Sequence, residues 1–168
     1  ERPKLEVNYI TKTLLNESLN ENFDNLHKLG VKIVIRGSIE KLDNSLKRKI
    51  IDAQKKTLNN KSISLVIAFD YGGRNEIVNT VKEIVKDDVK FSEINEELFN
   101  KYKNKDEIPD PDLIIRTGGE YRLSNFLIWQ SAYSEFYTSE VLWPDFTMSD
   151  FFDALKSYSL RSRRFGTN

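Results

Sequence analysis

Residues 110–146 read DPDLIIRTGGEYRLSNFLIWQSAYSEFYTSEVLWPDF, and the fold class turns on how this stretch is parsed. Pro109 and Pro111 close a loop, and Leu113, Ile114 and Ile115 form a short apolar run of the kind buried on both faces of a parallel sheet. The strand is expected to end at Arg116. Thr117 to Ser124 then fall beyond the carboxyl end of that strand, where open α/β sheets place their ligands. Ser124 and Asn125 stand at an expected helix start. That helix would carry Phe126, Leu127, Ile128, Trp129, Ala132, Tyr133 and Phe136, apolar over more than one face.

The loop has the composition of an anion site. Arg116 and Arg122 offer planar guanidinium forks matched to phosphate oxygens, and neither loses its charge near neutral pH. Gly118 and Gly119 let the backbone take φ > 0 and bring N–H groups close to a ligand. The unpaired N–H groups of a helix starting at Ser124 or Asn125 would add positive potential. Together these features fit one bound diphosphate. The alternative is structural: the glycines make a turn, Arg116 pairs with Glu120, and Ser124 or Asn125 is an N-cap.

The run from Arg116 to Phe126, RTGGEYRLSNF, is followed by Trp129-Gln130, Tyr133, Glu135 and the segment LWPDF at 142–146. It closely resembles the signature of the cis-prenyltransferases, above all the bacterial undecaprenyl diphosphate synthases. The likeness continues at Arg2-Pro3, at Asp70-Tyr71-Gly72-Gly73-Arg74 and at Arg163-Arg164-Phe165-Gly166, so it spans nearly the whole chain. The resemblance implies an α/β fold, a mostly parallel sheet flanked by helices, with an apolar tunnel and a homodimeric assembly. It also implies a reaction. A transferase of this kind condenses isopentenyl diphosphate with an allylic diphosphate such as farnesyl diphosphate. The product is a cis-polyprenyl diphosphate, precursor of an undecaprenyl-like lipid carrier and passed on to the membrane.

Site residues carry over by position. Arg2, Arg116, Arg122 and Ser124 correspond to substrate-binding residues, with Leu123 supplying backbone. Glu135 corresponds to a glutamate associated with Mg²⁺, and Arg164 and Gly166 correspond to a tail that reaches towards the partner's active site. Each has a plainer reading: a solvated terminal charge for Arg2, an ordinary helix-end carboxylate for Glu135, a frayed basic terminus for Arg164 and Gly166. The resemblance places a Ser-x-Glu-Asn-Trp segment before Arg2, and before that an Asp-Gly-Asn-x-Arg loop with the catalytic aspartate. Neither occurs among these 168 residues, which open on Glu1. The expectation is a single domain over 1–168, N-terminally truncated and lacking the family's first strand, first diphosphate loop and an early helix. It would contain no catalytic residue and have no synthase activity alone.

Composition sets independent limits. The chain of 168 residues suits one domain, and its 26 basic and 26 acidic side chains cancel, which removes a global electrostatic case for nucleic acid. The absence of cysteine excludes a disulfide scaffold, a thiolate metal site and a cysteine nucleophile. No apolar run reaches membrane-span length and no signal peptide opens the chain, so a cytoplasmic protein is expected. The run Lys47-Arg48-Lys49 is interleaved with core-facing positions and reads as a solvated face. Two functions from different classes stand at this point: the polyprenyl synthase, and a noncatalytic accessory subunit that keeps the fold. A generic nucleotide binder is disfavoured by the lack of a Walker or dinucleotide glycine pattern.

The rest of the chain alternates helix and strand. Val7, Ile10, Leu14, Leu15, Leu19, Phe23, Leu26 and Leu29 recur at helical intervals over 4–29, with a candidate break near Asn20 to Asn22 and Gly30 as C-terminal cap. His27 on this helix reads as a surface or core-edge residue. Val31 to Arg36 predicts a strand. A helix opened by Asp43 or Asn44 follows, carrying Leu46, Ile50, Ala53 and Leu58. Ser62 to Phe69 predicts a second strand, and a further helix places Ile77, Val78, Val81, Ile84 and Val85 on one side. Gly72-Gly73-Arg74 lines a site or permits a tight turn. A short helix is expected around Glu96 to Tyr102, and a last one from about Ser149 to Arg161 burying Phe151, Phe152, Leu155 and Tyr158. Such alternation implies right-handed βαβ units.

Overall fold

The computed structural model describes residues 6, 9, 10, 13 and 16–162. Arg2, Arg164 and Gly166 lie outside them. The fold is α/β, and the chain forms two compact units, Glu1–Tyr71 and Gly72–Asn168.

The first unit contains α1 (Asn16–Lys28), β1 (Val31–Gly37), α2 (Asn44–Thr57) and β2 (Ile63–Phe69). Helix α1 runs without interruption through 20–22, and His27 at its end faces the side chain of Asn60, with 3.1 Å between Nδ1 and Nδ2. Strands β1 and β2 pair in parallel from Val31 opposite Ile63 to Gly37 opposite Phe69. Helix α2 starts where Asp43 accepts the N–H groups of Ser45 and Leu46, both at 3.0 Å. Its buried stripe is Leu46, Ile50, Ala53 and Thr57, spaced for one helical face. Leu42, Leu46 and Ile50 form the core, with Ile35, Ile39 and Phe69 packed against it.

Thr57 is fully buried and bridges helix to strand: its Oγ1 accepts the Ile33 N–H at 3.0 Å and donates to the Ala53 carbonyl at 2.8 Å. Gly37 ends β1 with φ 106°, and a Cβ there would stand 2.1 Å from the Phe69 carbonyl oxygen, so no other residue fits without moving the strand. Leu58, expected in the helix's apolar stripe, lies past its last turn and is exposed.

The second unit contains α3 (Gly73–Lys86), a 3₁₀ turn (Phe91–Glu93), α4 (Glu96–Lys103), β3 (Leu113–Thr117), β4 (Glu135–Ser139), a second 3₁₀ turn (Trp143–Asp145) and α5 (Met148–Ser159). Helix α3 buries Gly73, Thr80 and Ile84 and leaves Val78, Val81 and Val85 exposed. The five apolar residues expected on one side do share it, within an arc of about 120° at 100° per residue, but Ile84 alone among them is buried. A capping box opens α5, Thr147 Oγ1 accepting the Asp150 N–H while Asp150 accepts the Thr147 N–H at 2.7 Å. This helix buries Ala154, whereas Phe151, Phe152 and Leu155, expected in the core, remain exposed.

Strands β3 and β4 pair in parallel, Leu113 opposite Glu135 and Thr117 opposite Ser139. Their connection corrects the helix expected from Asn125. Residues 118–134 form turns, and Ser124, Asn125 and Leu127 take φ of 47°, 66° and 44°, left-handed values that no α-helix contains. Several of the segment's polar side chains bond to other parts of the chain. Trp129 Nε1 donates to Asn100 Oδ1 at 2.8 Å while its ring lies against Phe99, centroids 4.3 Å apart. Gln130 Nε2 donates to Glu76 Oε2 at 2.8 Å, and Ser134 Oγ donates to the Pro111 carbonyl at 2.6 Å. Phe136 accordingly belongs to a strand, consistent with the aromatic and β-branched run Phe136-Tyr137-Thr138.

Candidate functional site

The site is built at the carboxyl end of β3. Its last two residues, Arg116 and Thr117, sit opposite Thr138 and Ser139 of β4. Gly118 and Gly119 then turn the chain with φ of 84° and 71°, their N–H groups donating to the carbonyls of Val141 and Ser139, both at 2.9 Å. These two amides were expected to face an anion. They are instead the bonds that hold the loop onto the end of β4.

Arg116 folds the loop back over its own strand. Its Nη1 donates to the Arg122 carbonyl and to Ser124 Oγ, the latter at 3.2 Å. Ser124 and the backbone of Arg122, up to eight positions away in sequence, are thereby brought to one guanidinium. The Leu123 carbonyl accepts the Phe126 N–H at 3.0 Å and so serves the turn itself. Glu120 pairs with Arg122 rather than with Arg116. Both side chains of that pair are well exposed, 60% for Arg122 and 45% for Glu120, so it is a solvent-screened contact worth at most about 1 kcal/mol. An incoming anion can take Glu120's place at little cost. The first-turn N–H groups expected to add positive potential are absent here, because no helix begins at Ser124 or Asn125.

Glu135 opens β4 in register with Leu113, three residues before the level of Arg116. Strand rise makes that roughly 10 Å, and alternation turns the two side chains to opposite faces. The structure therefore does not bring Glu135 to the Arg116 loop. Its Oε2 accepts from Arg161 Nη1 at 2.7 Å, a pairing that no spacing in the sequence announces. Among the described residues no group of three or more His, Asp or Glu side chains could hold a metal ion. A magnesium ion needs only one or two carboxylates beside substrate phosphate and water, but Glu135 is taken by Arg161 and remote from the loop. The described residues do not fit a resident Mg²⁺. No described helix is long and apolar enough to cross a membrane.

Arg116 at the end of a parallel strand and Arg122 in the loop beyond it are residue types suited to a phosphorylated ligand, at the end of the sheet where such chains place their ligands. Comparison with known proteins sharpens that reading. The prenyltransferase family described as "Putative undecaprenyl diphosphate synthase" matches residues 1–166. An isoprenyl transferase of Thermotoga maritima is 46% identical over 167 residues, covering 98% of this chain and 71% of the relative. One of Clostridium perfringens is 44% identical over 169 residues, covering 98% of this chain and 66% of the relative. The chain thus spans about two thirds of the length of such relatives.

Two solved structures are also similar. Lavandulyl diphosphate synthase from Lavandula x intermedia, in complex with dimethylallyl diphosphate, superposes with a TM-score of 0.91 at 31% identity, covering 99% of this chain and 73% of that one. A probable undecaprenyl diphosphate synthase from Campylobacter jejuni gives 0.86 at 33% identity, covering 99% and 77%. The chain belongs to the cis-prenyltransferase family.

Proposed function

We propose that the protein acts in the condensation of isopentenyl diphosphate with an allylic diphosphate, such as farnesyl diphosphate, to give a cis-polyprenyl diphosphate. In that reaction the allylic C–O bond breaks and diphosphate leaves with the electron pair. The alkene of isopentenyl diphosphate attacks the allylic cation, a new C–C bond forms, and a proton is lost to leave the new double bond. The protein must hold the diphosphate of the five-carbon unit still while this happens. Arg116, Arg122 and Ser124 suit that task, with Arg122 exchanging Glu120 for phosphate oxygens. The observation that carries this reading is the gathering of Ser124 and the backbone of Arg122 around the Arg116 guanidinium at the end of β3.

Arg2 would add a further cation to the substrate, and Leu123 backbone, as the resemblance implies. The family likeness assigns Mg²⁺ to Glu135, but with that carboxylate held by Arg161 the ion would have to be held by the substrate diphosphate and water. Assembly as a homodimer would give cover to Trp143, Met148 and Phe152, which are exposed in the single chain, and would let Arg164 and Gly166 reach a partner's site. A cytoplasmic location with delivery of product to the membrane completes the reading.

Steady-state kinetics test it. Arg116→Ala removes both the direct charge and the loop's internal anchor, and should lower kcat/KM for isopentenyl diphosphate by about 100-fold or more. Arg122→Ala should act in the same direction. Unchanged kinetics in both variants would overturn the assignment.

A further inference from the structure

The diphosphate loop is held by a residue whose two oxygens are already taken by the start of α3. Asn125 follows Ser124 directly, and its left-handed backbone turns both of its oxygens towards the start of α3. Its carbonyl accepts the Gly73 N–H at 2.7 Å and its Oδ1 accepts the Arg74 N–H at 2.9 Å. The N-cap of α3 is Gly72, which has no side chain with which to cap, so two orphan donors of the helix are satisfied by a residue from the β3–β4 connection.

The two glycines make room for this contact. A Cβ on Gly72 would stand 2.7 Å from Asn125 Nδ2, and one on Gly73 would meet Ile128 Cγ1 and its backbone nitrogen, each at 3.1 Å. Gly72 has φ −152° and ψ 126°, an extended conformation open to any residue. Its lack of a side chain is therefore explained by the space Asn125 needs and not by backbone strain. A second tether lies five residues on, where Gln130, 3% exposed, donates to Glu76 one turn into the same helix.

We propose that Asn125 is the positioning residue of the diphosphate loop and that Gly72-Gly73 is its seat. The hydrogen-bonded path runs from Arg116 to Ser124, through one peptide bond to Asn125, and into the first turn of α3. Strand and helix together then set where Ser124 stands relative to the Arg116 guanidinium. This inference rests on the diphosphate-binding reading above. It adds two glycines and an amide that need never touch substrate.

The test is a double-mutant cycle on the full-length enzyme, read as KM for isopentenyl diphosphate against kcat, with Arg116→Ala alongside. Asn125→Ala should raise that KM about tenfold, by letting Ser124 drift, with a smaller effect on kcat. Gly72→Ala should shift KM the same way, because its methyl group displaces the Asn125 amide. The double variant should be no worse than Asn125→Ala alone, since the clash disappears with the amide. Asn125→Asp keeps the acceptor for Arg74 and should restore protection of the Gly73 and Arg74 amides against hydrogen exchange. These two variants keep the test sound if Asn125→Ala folds poorly. Wild-type KM in Asn125→Ala and Gly72→Ala beside a raised KM in Arg116→Ala would overturn the positioning role alone. Additive losses in the cycle would also overturn it. An unchanged KM in Arg116→Ala would bring down the site and this inference together.

Discussion

Helix α2 and the connection 118–134 are both segments that carry aliphatic residues, yet they are held in different ways. In α2 the apolar side chains do the work: Leu46 and Ile50 pack into the core with Leu42, and the helix's one buried polar residue, Thr57, has its hydroxyl satisfied by Ile33 and Ala53. In 118–134, Phe126, Ile128 and Tyr133 remain exposed, and the shape is fixed by side-chain hydrogen bonds from Asn125, Trp129, Gln130 and Ser134 to elements distant in sequence. Burial is non-directional and rewards a regular period. Hydrogen bonds to particular partners impose a particular irregular path. The difference teaches why the functional loop is not a helix: its polar atoms have specific appointments on α3 and α4 that a helix would break.

Substitutions can break or sharpen this contrast. Ile50→Ala, at a side chain only 2% exposed, should cost about 2–5 kcal/mol in urea denaturation. Trp129→Phe keeps the ring against Phe99 and loses only the bond to Asn100, an exposed residue whose oxygen can turn to water. It should cost at most about 1 kcal/mol. Comparable losses in the two variants would erase the distinction. The smallest effect is expected at the capping box of α5. Hydrogen bonds from the Thr147 hydroxyl and backbone N–H hold the Asp150 carboxyl below its usual range. A lowered folded-state pKa means that the contribution is present at neutral pH and lost as pH falls below roughly 4 and through the folded value. Acid titration of unfolding should therefore be shallower in Asp150→Asn than in the unaltered chain.

The same contrast decides what the sequence could reveal. Asp43 followed by Leu46, Ile50 and Ala53 is a start signal and a period, and α2 begins and packs accordingly. Strands β1 and β2 were legible as apolar runs ended by Gly37 and by the Asp70-Tyr71-Gly72-Gly73 turn. The left-handed residues at Ser124, Asn125 and Leu127 left no such trace, because their cause lies at Arg74, Glu76 and Asn100, dozens of positions upstream. Strand β4 was hidden for a related reason. Phe136 continued an apolar series that fits a helix, and only the β-forming character of Phe136-Tyr137-Thr138 argued otherwise. At the site, Arg116, Arg122 and Ser124 could be picked out by residue type; the structure joins Arg116 to Ser124 and to the backbone of Arg122, whose own guanidinium goes to Glu120. What residue type could not supply was the use of the Gly118 and Gly119 amides on β4, the choice of Arg122 by Glu120, or the engagement of Glu135 by Arg161.

The pairing of Glu120 with Arg122 gives the loop a resident understudy. With no ligand present the second arginine is already neutralised from within, so the loop carries less naked charge than its sequence suggests. A visitor gains that arginine only by outcompeting a tethered carboxylate. The pair is worth at most about 1 kcal/mol, so the exchange costs an incoming anion little, while the internal carboxylate keeps Arg122 from standing as a bare charge.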